Sequence, residues 1–490
     1  MNKTSLLLLT ILFFFALPAF QLLLHSAEKA DPVYTRVYEA LLSSGNRLPG
    51  SEGYRKSLEA VEKELRDAGL TPHRISYPTL VPETVQSSFT YNGESFDVYP
   101  LAPNGVAMTE KTDMTAPVIY LGKGDYDDIE KKKLKDFIVL MDASSPNMKD
   151  LFSHGARAVI LVVDGTEDVH DFASHFSQAS VSVPRLCIRK SEAEKAGLLN
   201  ASGEKEGHLQ VFTRWKDEIA TTLWVEVKGR EDSRFFYGRP EALFFTATLD
   251  TFGTVPDQTQ DRRIAANNAL MTSLAVSLAG KAAPPGRSLY FVFFGSHYSF
   301  FEGARIFYFP FEKTDAEKDS VAFRISMAEK ELESIDRELE VLRRVDPFRI
   351  SEPELREAVR ICVDRISRNL DGMVGNNNYL YQQIYVPYMA KKNNGEEDPL
   401  MKAELDRLKE EKALLNELRS QIFKREIVNL EAFSKIVNAD LEQAELRKRQ
   451  METHLAMLRG MRELQENMGD QLPVGHFDFD FSSATLPFVA

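Results

Sequence analysis

Carboxylates and imidazoles at the ends of buried strands are the groups with which a fold holds a metal or moves a proton. In this chain they gather at three places. Thr248-Leu249-Asp250 ends the apolar run Leu243–Leu249, and His297-Tyr298 follows the apolar run Ser288–Phe294. The third is Gly475-His476-Phe477-Asp478-Phe479-Asp480-Phe481, which alternates polar and aromatic residues as a strand does. His476, Asp478 and Asp480 therefore share one strand face. If His297, His476, Asp250, Asp478 and Asp480 converge at the strand ends, they offer donors for one metal ion, zinc by donor type. His297 is also suited to act as a general base near neutral pH. Its structural alternative is a satisfied polar residue at a strand end. A further group, Asp168, His170, Asp171 and His175, matches no closed zinc spacing and reads as a solvated loop.

The elements that must position these residues follow from apolar patterning. Leu243–Leu249 and Ser288–Phe294 have the length and aromatic content of buried strands. Between them Ala269–Leu278 reads as a helix, with Asn267 and Asn268 at its start and Gly280 at its end as caps. A second short helix starts after Ser299. Strand, loop, helix, strand, helix is the grammar of an α/β fold with a mostly parallel sheet and helices on both faces. Ligands of such sheets collect at the C-terminal strand ends, here Thr248–Asp250 and Ser296–Tyr298.

These residues resemble the core of the zinc-dependent exopeptidases of metallopeptidase family 28, which include aminopeptidases and glutamate carboxypeptidases. The family carries H-x-D after one strand, a G-A-D-D-N-type turn opening a helix, and E-E-x-G-L-x-G-S after the next strand. Here Thr248 stands in place of the histidine ligand and Asn267 in place of the metal-bridging carboxylate. His297 replaces the general base and Tyr298 the metal-ligand Glu. Asp250 keeps its place in the shell behind the ligands, and Asp480, before Phe481-Ser482-Ser483, best matches the next aspartate ligand. The turn Asn46-Arg47-Leu48-Pro49-Gly50-Ser51 resembles the family's R-x-x-G-S opening. The resemblance implies a peptidase framework with a degenerate metal site, hence a pseudo-peptidase that binds or scaffolds without a cofactor. Thr and Asn are neutral, and Tyr with a pKa of about 10 is rarely an anion at neutral pH. The alternative is an active zinc aminopeptidase or carboxypeptidase with a rebuilt site. A Ser-His-Asp hydrolase is disfavoured, because no G-x-S-x-G elbow is present.

The chain has 490 residues, a net charge of −13 and 43% hydrophobic residues, enough for more than one domain. The acidic balance argues against a nucleic-acid partner. Cys187 and Cys362 fall in different lobes, so no disulfide and no metal spacing is expected. Residues 1–27 carry an apolar run, Leu6–Leu24, that reads as a signal peptide or an uncleaved membrane anchor. Export to the periplasm or beyond follows from either, and the scarcity of cysteine fits a bacterial source.

The expected exopeptidase-like domain comprises 31–82, 218–310 and 471–490. Residues 83–217 form a strand-rich insert resembling a protease-associated domain, whose mark is a helix running into Gly155-Ala156-Arg157-Ala158-Val159-Ile160. Residues 311–470 are charged and helical. Ile325, Ala328, Leu332, Ile335, Leu339 and Leu342 make a coiled-coil seam, continued by Leu405, Leu408, Leu415, Leu418 and Ile422. Asn376-Asn377-Asn378 and Asn393-Asn394-Gly395 are expected to mark loops. This arm either packs on itself or offers a docking surface to a protein or peptide partner. The family needs further strands, a helix and a final His ligand after Asp480. None follows Ala490, so the chain is read as a fragment.

Overall fold

The computed structural model describes residues 31–101, 111–124, 126–145, 147, 150–164, 183–230, 240–251, 262–297, 301–311, 320–344, 356–393, 395, 398–424, 430–469 and 471–478. Asp480, Tyr298, the 168–175 group and the N-terminal apolar run lie outside them, and Asp478 is described by its backbone alone. Among the described residues no helix is long and apolar enough to cross a membrane.

Two helices open the chain, α1 (Pro32–Ser43) and α2 (Glu52–Asp67). The Asp31 side chain caps α1 at Val33 N–H, and the Ser51 hydroxyl caps α2 at Tyr54 N–H. Then follow β1 (His73–Tyr91), β2 (Glu94–Phe96), β3 (Tyr99–Pro100), β4 (Thr112–Tyr120), α3 (Tyr126–Lys131), β5 (Ile138–Asp142), α4 (Asp150–Ser153), β6 (Ala158–Val163), β7 (Arg185–Arg189), α5 (Lys190–Lys195) and β8 (Ser202–Val227). The central stretch contributes β9 (Glu241–Thr248), α6 (Arg262–Ala279), β10 (Ser288–Phe294) and α7 (Glu302–Tyr308). Long helices α8 (Val321–Arg344), α9 (Arg356–Asn393), α10 (Pro399–Lys424) and α11 (Leu430–Met468) precede β11 (Leu472–Asp478).

The expected α/β class holds, with one sheet ordered β11-β9-β10-β8-β4-β5-β6-β7-β3. Two parallel blocks, β11-β9-β10 and β4-β5-β6-β7, flank the antiparallel strand β8. β8 runs 26 residues. One of its edges carries β1 from Gly207 to Trp224. The other carries β4 along its first half and β10 over Leu223–Val227. Apolar patterning marks as strands only Ser87–Tyr91 and Leu223–Val227, one end of each partner in this β1–β8 ribbon. Its middle is exposed and charged, with Arg214 paired to Glu83 and Lys216 to Glu218, so no apolar alternation betrays it. Pro78 and Pro82 also disguise β1. Four residues apart, they aim their missing N–H at one edge, and only the edge away from β8 tolerates that. The expected domain boundaries at 83 and 217 fall inside these two continuous strands.

On one face of the β9-β10-β8 block, Leu223, Val225, Ala247, Phe291 and Phe293 pack under Val37 and Leu41 of α1, Leu58, Val61 and Leu65 of α2, and Ala265, Ala269 and Met271 of α6. Each large side chain buried there contributes about 1.5–3 kcal/mol. The other face is aromatic. Phe244 meets Tyr290, Phe307, Tyr308 and Phe311 with ring centroids 5.3–6.2 Å apart. The β4–β7 block carries two apolar clusters, one with Phe89, Phe96 and Leu198 and the other with Ile129, Leu134 and Leu151.

The chain divides into two compact units, and residues 316–455 form the second. Within it the seam residues Ile325, Ala328, Ile335, Leu339 and Leu342 are buried, as are Leu405, Leu408, Leu415 and Leu418. Lys448 and Arg447 of α11 pair with Asp336 and Glu338 of α8. The loop expected at Asn376–Asn378 is absent, and α9 runs straight through it. Asn377 is buried and its amide donates to Leu408 O of α10 at 3.2 Å, so tertiary packing overrides its weak helix preference.

Where the β10 pairing ends, one side chain closes the β8 edge. The Tyr54 hydroxyl donates to Thr221 O at 2.8 Å and accepts from Thr221 N–H at 2.9 Å. Tyr54→Phe leaves a buried N–H and C=O without this partner. We expect a loss of about 2–4 kcal/mol, read as a lower urea midpoint with unchanged m-value.

Candidate functional site

The ladder between β9 and β10 extends one bond past the strands, with Leu249 N–H donating to Phe294 O at 2.8 Å. It brings Asp250 and Thr251 beside Gly295, Ser296 and His297. Asp250 is 2% exposed, and its Oδ1 accepts the backbone N–H of His297 at 2.9 Å. A charged acceptor on a buried N–H is a strong tie. It joins the loop after β9 to the loop after β10. The His297 imidazole itself lies edge-on to Phe301, ring centroids 4.3 Å apart.

Ser296 and Phe301 both take left-handed backbone conformations, with φ of 55° and 58°. Such residues are uncommon outside glycine. Ser296 is fully buried, with Oγ 2.7 Å from Thr79 Oγ1 and donating to Glu302 Oε2 at 3.1 Å. Thr79 also donates to Glu302 Oε2, at 2.7 Å. Tyr77 donates to Gly295 O at 2.7 Å. Burial, reinforced by the hydroxyl of Tyr54 and the nearby carboxylates of Asp250 and Glu302, holds the Tyr77 phenol far above its ordinary pKa. Gly303 is where α7 meets this floor. A Cβ there would sit 2.2 Å from Gly295 O and 2.4 Å from the Tyr77 hydroxyl, so only glycine lets the helix approach.

Asn267 and Asn268 are not caps. The helix α6 begins at Arg262, and both lie inside it. Asn268 is fully buried, and its Nδ2 donates to Thr248 O at 2.6 Å and Ile264 O at 2.7 Å. That fixes the amide orientation, and among the described residues Oδ1 has no hydrogen-bond partner. The side chain bonds back to the carbonyl four residues earlier, as Ser and Thr do in helices, so an asparagine pair is no boundary signal here. Asn267, on the neighbouring position, is also buried.

His476 lies away from the strand ends. β11 pairs in parallel with β9, placing His476 opposite Phe244 and Asp478 opposite Thr246. His476 Nε2 is 2.8 Å from Thr246 Oγ1, and its ring stands edge-on to Tyr308 at 5.8 Å. Burial pushes its pKa down to about 4.

The structure thus brings together Thr248, Asp250, Asn267, Asn268 and His297 around the ends of β9 and β10, while His476 packs under the aromatic face. Sequence reasoning missed Tyr77, Thr79 and Glu302, took Asn268 for a cap, and reached Ser296 only as part of a strand end. Glu302 beside Gly303 at the start of α7 carried a usable signal, whereas Thr79, far away in the chain, carried none. Zinc takes thiolate, imidazole or carboxylate donors. Among the described residues at the strand ends these are Asp250, His297 and Glu302. Asp250 and Glu302 already accept from the protein, and Thr248 and Asn267 are neutral. No three His, Cys, Asp or Glu side chains among the described residues group as a metal site. The described donors by themselves fall short of a zinc pair.

No family model matches the sequence. No curated protein matches it either. Solved structures of similar chain path include the aminopeptidase of Aneurinibacillus sp. strain AM-1, at 18% identity, TM-score 0.35, and 59% and 68% of the two chains covered. BSAP, a zinc aminopeptidase from Bacillus subtilis, is 17% identical at TM-score 0.40 over 59% and 66%. A peptidase M28 precursor from Shewanella amazonensis SB2B is 15% identical at TM-score 0.42 over 59% and 69%. The chain spans about two thirds of each. At these identities and scores the likeness establishes neither a family nor an activity.

Two outcomes test the site as built. Asp250→Ala removes the acceptor of a buried N–H and is expected to cost about 1.5–3 kcal/mol, whereas Asp250→Asn, which retains an acceptor oxygen, loses less; urea unfolding measures both. His476 is held neutral when folded and takes up its proton more readily when unfolded, at its ordinary value of 6.5. Stability therefore falls as pH drops from about 6.5 towards 4. His476→Gln should flatten that part of the urea-midpoint profile.

Proposed function

We propose that this chain is a peptidase-like protein whose strand-end site binds or scaffolds without hydrolysing, exported by its apolar leader. The observation that carries the reading is the engagement of Asp250. Among the described residues, the acidic residue retained at a position resembling the family pattern spends an oxygen on the His297 backbone N–H. Thr248 and Asn267, beside it, bring no charge to hold a cation. In this reading Glu302, Ser296 and Thr79 fix the loop after β10 rather than activate water. The helical unit would then supply the surface on which a protein or peptide partner docks.

The purified protein tests this directly. Bound zinc is measured by elemental analysis, and release of amino acids from short peptides is followed with and without chelator. The expected result is far less than one zinc per chain and no chelator-sensitive release. Stoichiometric zinc with chelator-sensitive release establishes the rebuilt active enzyme instead.

A further inference from the structure

A cavity of about 520 Å³ opens where β8 ends and β10 begins, at the other end of these strands from Asp250. That volume suits a small ligand. Its apolar wall is made by Leu70, Val227, Leu278 and Pro284. Its charged groups are Glu226, Lys228 and Lys281. Among the described residues none of the three forms an ion pair. Glu226 is half-buried, and its Oε1 accepts from the Ser288 hydroxyl at 2.7 Å and the Gln471 amide at 3.3 Å, with the neutral Tyr290 phenol also beside it. Both lysines are exposed. His73, also on the wall, is committed elsewhere: its Nδ1 lies 2.8 Å from Glu463 Oε1 and its ring stacks on Trp224 at 4.2 Å.

Two helices end at this cavity, α2 at Ala68–Leu70 and α6 at Leu278–Ala279. Helix C-termini carry partial negative charge and favour cations. An anion alone would meet those ends and Glu226 unfavourably, and a cation alone would meet the lysines. A molecule bearing both charges, with an apolar body, satisfies every group present. We propose that this cavity binds a small zwitterion of the amino-acid or dipeptide class. Its carboxylate lies toward Lys228 and Lys281, and its ammonium toward Glu226. This site stands apart from the strand ends and does not rest on their being inactive.

The probe is leucyl-leucine, titrated calorimetrically into the full-length protein with chelator present, and recovered intact by mass spectrometry to separate binding from hydrolysis. Saturable one-site binding is expected. The double variant Lys228→Ala, Lys281→Ala should weaken it by about tenfold or more, and so should amidating the probe's carboxylate. Acetylating its amine, or Glu226→Gln, should weaken it comparably. No saturable binding at about 10 mM probe, or equal affinity for the free, amidated and acetylated dipeptides, overturns the proposal. The two probe modifications decide the matter on the unaltered protein even where a variant folds poorly.

Discussion

The double hydrogen bond of the Tyr54 hydroxyl to the backbone of Thr221 fixes what the rest of the molecule can do. β8 belongs at once to the β9-β10 block and to the β4–β7 block, so part of its edge is left with neither strand beside it among the described residues. A buried backbone group without a partner is costly. Tyr54, from the first turn of α2, meets that need with one oxygen. The same contact anchors α2 over the sheet. Gly295 accommodates it, for a Cβ there would fall 2.2 Å from the Tyr54 hydroxyl. Tyr77 then takes Gly295 O, and α7 rests on the pair through Gly303. The positions of Asp250, Ser296 and His297 follow from this stack of close approaches.

Much of this was legible in the sequence where burial is uniform. Leu243–Leu249 and Ser288–Phe294 are strands because nothing else suits runs of that length and aromatic content, and they pair in parallel as expected. Asp31 and Ser51 cap α1 and α2 through contacts only two and three residues along the chain. What was hidden depends on contacts between distant residues. The ribbon β1–β8 has no apolar signature where it is solvated. Asn267 and Asn268 looked like caps because the residues before them are polar, and the helix nevertheless begins at Arg262, since Asn268 serves Thr248 O from inside it.

The candidate site was legible by position and opaque by role. Asp250 was found, but its partner is a backbone N–H. Strand alternation gives His476 its face, yet the parallel register seats it beside Thr246 and under Tyr308. Alternation tells which side a residue faces and not how far along the strand its neighbours sit.

The ribbon also dictates an order of assembly. Ser76 and Thr221, which touch, are 145 residues apart in the chain. Thr246 and His476 are 230 apart. A ribosome making this polypeptide extrudes β1 long before β8 exists to receive it, and β9 long before β11. Such remote pairings are slow to form and leave strand edges exposed meanwhile. Two prolines on the edge of β1 away from β8 discourage another nascent chain from pairing there during that wait.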